Sequence, residues 1–111
     1  PLALEFAKEP HPITRNVRNF PMVDESYWML AGDPAKIRTL GWSPEDGKLQ
    51  PQYWTVEQGR GRVFVSIPGH FSLSFQDPLF RILLFRGILW SAREPVDRFN
   101  DLVLLGADVE K

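Results

Sequence analysis

The sequence has no cysteine, no excess of either charge and no long apolar run, and each absence removes a class of explanation. Without cysteine there is no disulfide framework, no thiolate zinc site and no thiol nucleophile in these 111 residues, and the usual sign of a redox compartment is missing. Thirteen Lys+Arg against 14 Asp+Glu leave no positive footprint for a phosphate backbone, so nucleic acid is not an expected partner. No apolar stretch nears the ~20 residues of a membrane span, and no charged stretch followed by an apolar one marks a signal peptide, so no membrane partner is expected. Internal repeats and low-complexity tracts are also missing. What is present is 43% hydrophobic and 13% aromatic residues, a composition that folds rather than stays disordered. At this length it supports a single core.

The chain begins with proline and runs straight into strand-like sequence, the pattern of a segment that starts inside a domain. LALEFAK (2–8) reads as a strand, stopped by Pro10 and Pro12. Residues 10–24 carry three prolines and no sustained period, so they are expected as a surface excursion held by Ile13, Val17 and Phe20. DESYWML (24–30) is strand or helical turn, its Tyr27-Trp28 pair favouring an extended, half-buried segment. KIRTLGW (36–42) alternates like a strand, and SPEDGKLQP (43–51) reads as a polar loop turning at Asp46-Gly47. QYWTVEQ and RVFVSI, joined by Gly59-Arg60-Gly61, predict an antiparallel hairpin. The second strand stops at Pro68, leaving Gly69 to turn sharply and His70 just beyond the strand end. Asp77-Pro78 then caps and opens a helix to about Arg93.

That helix is apolar around most of its circumference, with Arg81, Arg86, Ser91 and Arg93 as its polar side, so it is expected to be buried on more than one face. LALEFAK and RVFVSI lack strict in/out alternation and suggest a sheet covered on both faces. One long helix covers only one. Another chain, a segment outside these residues, or dimerisation of a small α+β domain is expected to cover the other. Residues 1–93 are assigned to the domain, and 94–111, with an apolar knot at Leu102–Leu105, to a carboxy-terminal extension.

Two histidines are present. His70 occupies the kind of crevice where α/β folds place ligand groups, and an imidazole suits acid–base work; it could equally bond a loop carbonyl. His11 sits between prolines that account for a fixed turn. Asp24 and Glu25 precede Tyr27 and Trp28, and carboxylates beside aromatics suit a sugar, whose ring offers C–H faces to aromatics and hydroxyls to carboxylates. The alternative is that Asp24 caps a turn and Glu25 is solvated. No second acidic residue names a glycosidase pair. Arg60 and Arg62 flank a turn glycine with a strand, not a helix amino terminus, following, which argues against a phosphate loop. Ser66, Ser72 and Ser74 lie near His70 without a nucleophile-elbow pattern, and no spacing insists on a metal or names a cofactor.

Four blocks together carry a resemblance: HPIT (11–14), VDESYW (23–28), YWTVEQGRGRVFVSIPGH (53–70) and FQDPLFRILLFRGILWSA (75–92). In order and spacing they resemble the carboxy-terminal half of the ThuA-like (trehalose-utilisation) family, over about residues 10–93. The resemblance implies a fold similar to class I glutamine amidotransferases, a flavodoxin-like α/β three-layer sandwich about twice this length, with an amino-terminal half lying outside these residues. His70 looks like the positional counterpart of a triad histidine, but ThuA-like proteins generally lack the cysteine nucleophile, so amidotransferase activity is not implied. The residues carried over are His11, Asp24, Glu25, Tyr27, Gly69 and His70, with His70 and Glu25 as catalytic candidates and the others as substrate-binding. The block after Gly69-His70 lacks the acidic residue that often follows it in relatives. The implied function is catabolism of trehalose-like disaccharides or keto-glycosides by hydrolysis, elimination or isomerisation, the alternative being a non-catalytic carbohydrate-binding or scaffold module. A small sugar is the expected ligand and a homo-oligomer is possible.

Overall fold

A computed structural model of the chain describes residues 1–104. Five strands form one antiparallel sheet in the order β2-β1-β3-β4-β5: β1 Leu2–Phe6, β2 Phe20–Met22, β3 Arg38–Glu45, β4 Lys48–Gln58 and β5 Gly61–Ser66. One α-helix, α1, runs Pro78–Ser91, and short 3₁₀ turns lie at Pro34–Lys36, Ser72–Gln76 and Asn100–Leu104.

Glycine and aspartate chemistry builds the two hairpins. Asp46 and Gly47 both take positive φ, 50° and 75°, the backbone of a two-residue turn whose twist matches its strands, and they join β3 to β4. Gly59, at φ 58°, turns β4 into β5, with Gln58 paired to Gly61. The polar loop expected at 43–51 is therefore mostly strand. Pro44 and Pro51 argue for a loop in the sequence, but a proline costs no ladder bond where its strand lacks a neighbour on that side. Pro44 is exposed, and Pro51 lies beyond the stretch of β4 that pairs with β5. The short β2, centred on Pro21, is tolerated for the same reason, as the edge strand of the sheet.

α1 starts as its sequence predicts: the Asp77 side chain accepts from Leu79 N at 2.8 Å and Pro78 occupies the first turn. It packs on β5, where Gly87 meets Phe64 so closely that a Cβ would lie 2.2 Å from the ring. Phe80, Leu83 and Trp90 of α1 join Leu2, Leu4, Leu40, Tyr53 and the loop residue Ile13 in the core. Burial is less complete than the apolar circumference suggests, since Ile88 is 60% exposed. Arg86 departs from its expected place on the polar side. It is buried, and its guanidinium donates to Ile13 O at 3.2 Å and Arg15 O at 2.7 Å and pairs with Asp97 at 3.0 Å. After α1, Val103 is buried in the last 3₁₀ turn. The remainder of the expected apolar knot falls partly outside the described residues.

The opposite face of the sheet carries Trp54, Val56, Val63 and Val65. These are only partly buried, and Val63 is 46% exposed.

Candidate functional site

Asp24 organises the site. It follows β2 and its side chain is fully buried, so an unpartnered carboxylate there would be costly. Four donors surround it: Gly69 N at 2.8 Å, His70 N at 3.1 Å, Glu25 N at 2.6 Å and the Ser74 hydroxyl. Burial pushes the carboxyl pKa up, and the bonds from Ser74, Glu25, His70 and Gly69 more than offset it, so the pKa lies below its ordinary 3.8. Its lone pairs are thus committed to holding the turn after β5. Gly69 is needed in that turn because its φ is +140°, a conformation side chains rarely adopt.

The same carboxylate faces the imidazole. His70 Nδ1 is 3.4 Å from Asp24 Oδ1, within ion-pair range though longer than a hydrogen bond, and the ring is 39% exposed. With Nδ1 turned toward a carboxylate, Nε2 is the nitrogen left to meet a ligand. Tyr27 packs on the imidazole with ring centroids 4.8 Å apart, and its hydroxyl donates to Glu25 Oε2 at 2.8 Å. That bond and the Glu25 charge raise the Tyr27 pKa above 10.0, keeping the phenol protonated. Asp24, Glu25, Tyr27, Gly69 and His70 therefore converge, although 42 residues or more separate the two loops, as in Tyr27 and Gly69.

His11 is not among them. It is buried, its Nδ1 accepts from Ile13 N at 3.1 Å, and its ring lies against Trp90 with centroids 5.3 Å apart. Burial, with Arg38 next, lowers its pKa below 6.5, so it is held as a neutral acceptor. Trp90 is near the carboxy-terminal end of α1 and His70 precedes its start, so the histidines sit at opposite ends of a 14-residue helix roughly 20 Å long. HPIT is thus a loop motif clamped by Arg86, and the sequence alone gives it no such partner.

Two further residues hold the site. Ser74, read from sequence only as a neighbour of His70, donates to Asp24 from its 3₁₀ turn. Gln52 has no sequence signal. It is the extra residue of a bulge, since Gly41 pairs with Tyr53 and Trp42 with Pro51, and its Nε2 reaches Tyr27 O at 3.2 Å. Among the described residues no group of three or more His, Asp or Glu is placed to hold a metal ion.

No curated protein and no solved structure matches the chain. The model of one family does, ThuA, described as trehalose utilisation, over residues 1–91. That span contains the Asp24 loop, the Gly69-His70 turn, the HPIT loop and all but the last cap of α1, and with most of its length matched the chain belongs to the ThuA family.

Proposed function

We propose that this protein acts in sugar catabolism on a trehalose-like disaccharide or keto-glycoside, with His70 as the acid–base group. The observation that carries the reading is the Asp24–His70 arrangement: a buried, ionised carboxylate grips the backbone of the turn and faces Nδ1, leaving a partly exposed imidazole fixed in place. A positioned imidazole removes a proton from a carbon, a hydroxyl or water and returns one to a leaving oxygen in elimination or hydrolysis, or to a neighbouring carbon or oxygen in isomerisation. Asp24 is a positioning residue. Glu25 and Tyr27, bonded to each other beside the imidazole, offer a carboxylate and a phenol to sugar hydroxyls, and Glu25 is the candidate base. Gly69 contributes through its backbone.

The fold proposed for the complete domain is the flavodoxin-like, three-layer arrangement of class I glutamine amidotransferases, with a further amino-terminal half covering the sheet face of Trp54, Val56, Val63 and Val65. Partial exposure of those apolar residues supports it. Amidotransferase chemistry is not proposed, because ThuA-like proteins generally lack the cysteine nucleophile that it needs.

The test is turnover of a 3-keto-disaccharide by wild type and His70→Gln. A loss of about 10²-fold or more with an unchanged melting temperature is expected. Wild-type turnover by the variant would refute the assignment.

A further inference from the structure

At the carboxy-terminal end of α1, away from His70, a hollow of about 250 Å³ opens between Trp90, the start of β3 and the later residues of β4. Thr55 on its wall pairs with Phe64, which packs under Gly87, so this wall belongs to the face that α1 covers and not to that of Trp54. Two side chains lining the hollow are buried and lack a partner. His11 is 5% exposed; its Nδ1 accepts from Ile13 N, so the neutral ring carries its proton on Nε2, which makes no hydrogen bond among the described residues. Thr55 is 4% exposed, and its hydroxyl is likewise unpartnered among the described residues. Burying such donors is costly unless something accepts from them. Two cations stand at the mouth. Lys36 and Arg38 are exposed and belong to no ion pair among the described residues, and Arg38 spends one of its donors on Pro10 O at 3.2 Å. Glu57, the carboxylate on the wall, leans toward Arg62 at 3.5 Å.

We propose that this hollow binds a phosphate group, as the free ion or on a small monoester, with His11 Nε2–H and the Thr55 hydroxyl as inner donors and Arg38 and Lys36 as charge partners. The free polar groups of His11, Arg38 and Lys36 can only donate, so the ligand that satisfies them is rich in acceptors. A neutral hydroxyl compound brings a hydrogen with every oxygen, and the carboxylate that could take it, Glu57, is turned to Arg62. A phosphate brings acceptor oxygens, and its nearly two negative charges at neutral pH match the two unpaired cations. The hollow is smaller than the roughly 300–1,000 Å³ of ordinary small-molecule sites, which suits an ion or a short ester. It is separate from the His70 cluster, because the two histidines sit at opposite ends of α1, and the proposal does not rest on a sugar substrate.

The experiment is NMR of the full chain, whose two histidines give separate imidazole signals, titrated at constant ionic strength with inorganic phosphate, glycerol phosphate, acetate and chloride. Saturable shifts of the His11 ring are expected with phosphate or glycerol phosphate, with acetate at least tenfold weaker and chloride without effect. An anion beside Nε2–H favours the imidazolium, so the titration midpoint of His11, on which Arg38, Glu57 and Arg62 already act, is expected to rise when phosphate binds. Thr55→Val, which exchanges the hydroxyl for a methyl, and Lys36→Gln, at an exposed position, are each expected to weaken binding at least fivefold at an unchanged melting temperature. Should Thr55→Val melt lower than wild type, Lys36→Gln decides. Tighter binding of glycerol phosphate than of phosphate assigns a monoester, and equal affinity assigns the free ion. No saturable shift at His11, an equal response to chloride or acetate, shifts confined to His70, or wild-type affinity in a stably folded variant would each overturn the proposal, leaving the assignment of His70 untouched.

Discussion

Asp24 and His11 both tie the protein's stability to acid, in different pH windows. The Asp24 carboxyl titrates below 3.8 when folded, so its contribution is fully present above that value and is lost as the pH falls through the lower folded value. Asp24→Asn presents an amide NH₂ to donors that need an acceptor. We expect it to cost about 2 kcal/mol in urea denaturation at neutral pH, the scale of a hydrogen bond to a charged group, and to remove the loss of stability that begins below the ordinary carboxylate range. His11 titrates below 6.5 when folded, so the unfolded chain binds its proton first and stability declines as the pH falls below 6.5. His11→Asn keeps an oxygen where Nδ1 accepts from Ile13 N and removes the titration. Its melting temperature is expected to match wild type at pH 8 and to fall less between pH 6.5 and 5. An unchanged slope would show that His11 is not the group responsible. Sequence order placed His70 correctly beyond a strand end, but it left the role of Asp24 open between a turn cap and a sugar ligand. The deciding fact, four donors from three segments around one carboxylate, exists only in three dimensions.

At the scale of elements, legibility followed local chemistry. Asp77-Pro78 announced α1, and Asp46-Gly47 and Gly59 announced turns, because capping and positive φ are properties of single residues. The three-residue β2 and the strand character of 43–51 were hidden, because edge position and missing neighbours decide whether proline is tolerated. Arg86 was hidden too. Its helical position suggested solvent, but the carbonyls of Ile13 and Arg15 draw it inward. The contact of α1 with β5 makes a sharp prediction at Gly87. A Cβ there would overlap the Phe64 ring at 2.2 Å, so Gly87→Ala is expected to destabilise by about 1–3 kcal/mol despite alanine's better helix propensity. Phe64→Leu should recover part of that loss in the double variant. A neutral or stabilising Gly87→Ala would contradict this packing of helix on sheet.

Across the whole molecule, the sheet brings the loop after β2 and the turn after β5 together although β2 and β5 are its two edge strands. Asp24 makes the hydrogen bonds to that turn, and the segment 24–30 that follows is fastened to β4 by Gln52 and to β3 by the Ser26 hydroxyl, which donates to Glu45 Oε1 at 2.6 Å. Two distant parts of the chain, HPIT and the helix segment around Arg86-Gly87, are likewise explained by one clamp. The family was legible because these paired blocks keep their order in sequence, whereas the separate placement of the two histidines required the fold. The central claim is that Asp24 fixes a turn so that the His70 imidazole performs acid–base chemistry on a sugar. Its most direct test is turnover of a 3-keto-disaccharide by His70→Ala, measured with and without free imidazole. The account predicts a loss of about 10²-fold or more that added imidazole partly restores; turnover equal to wild type without imidazole would contradict it.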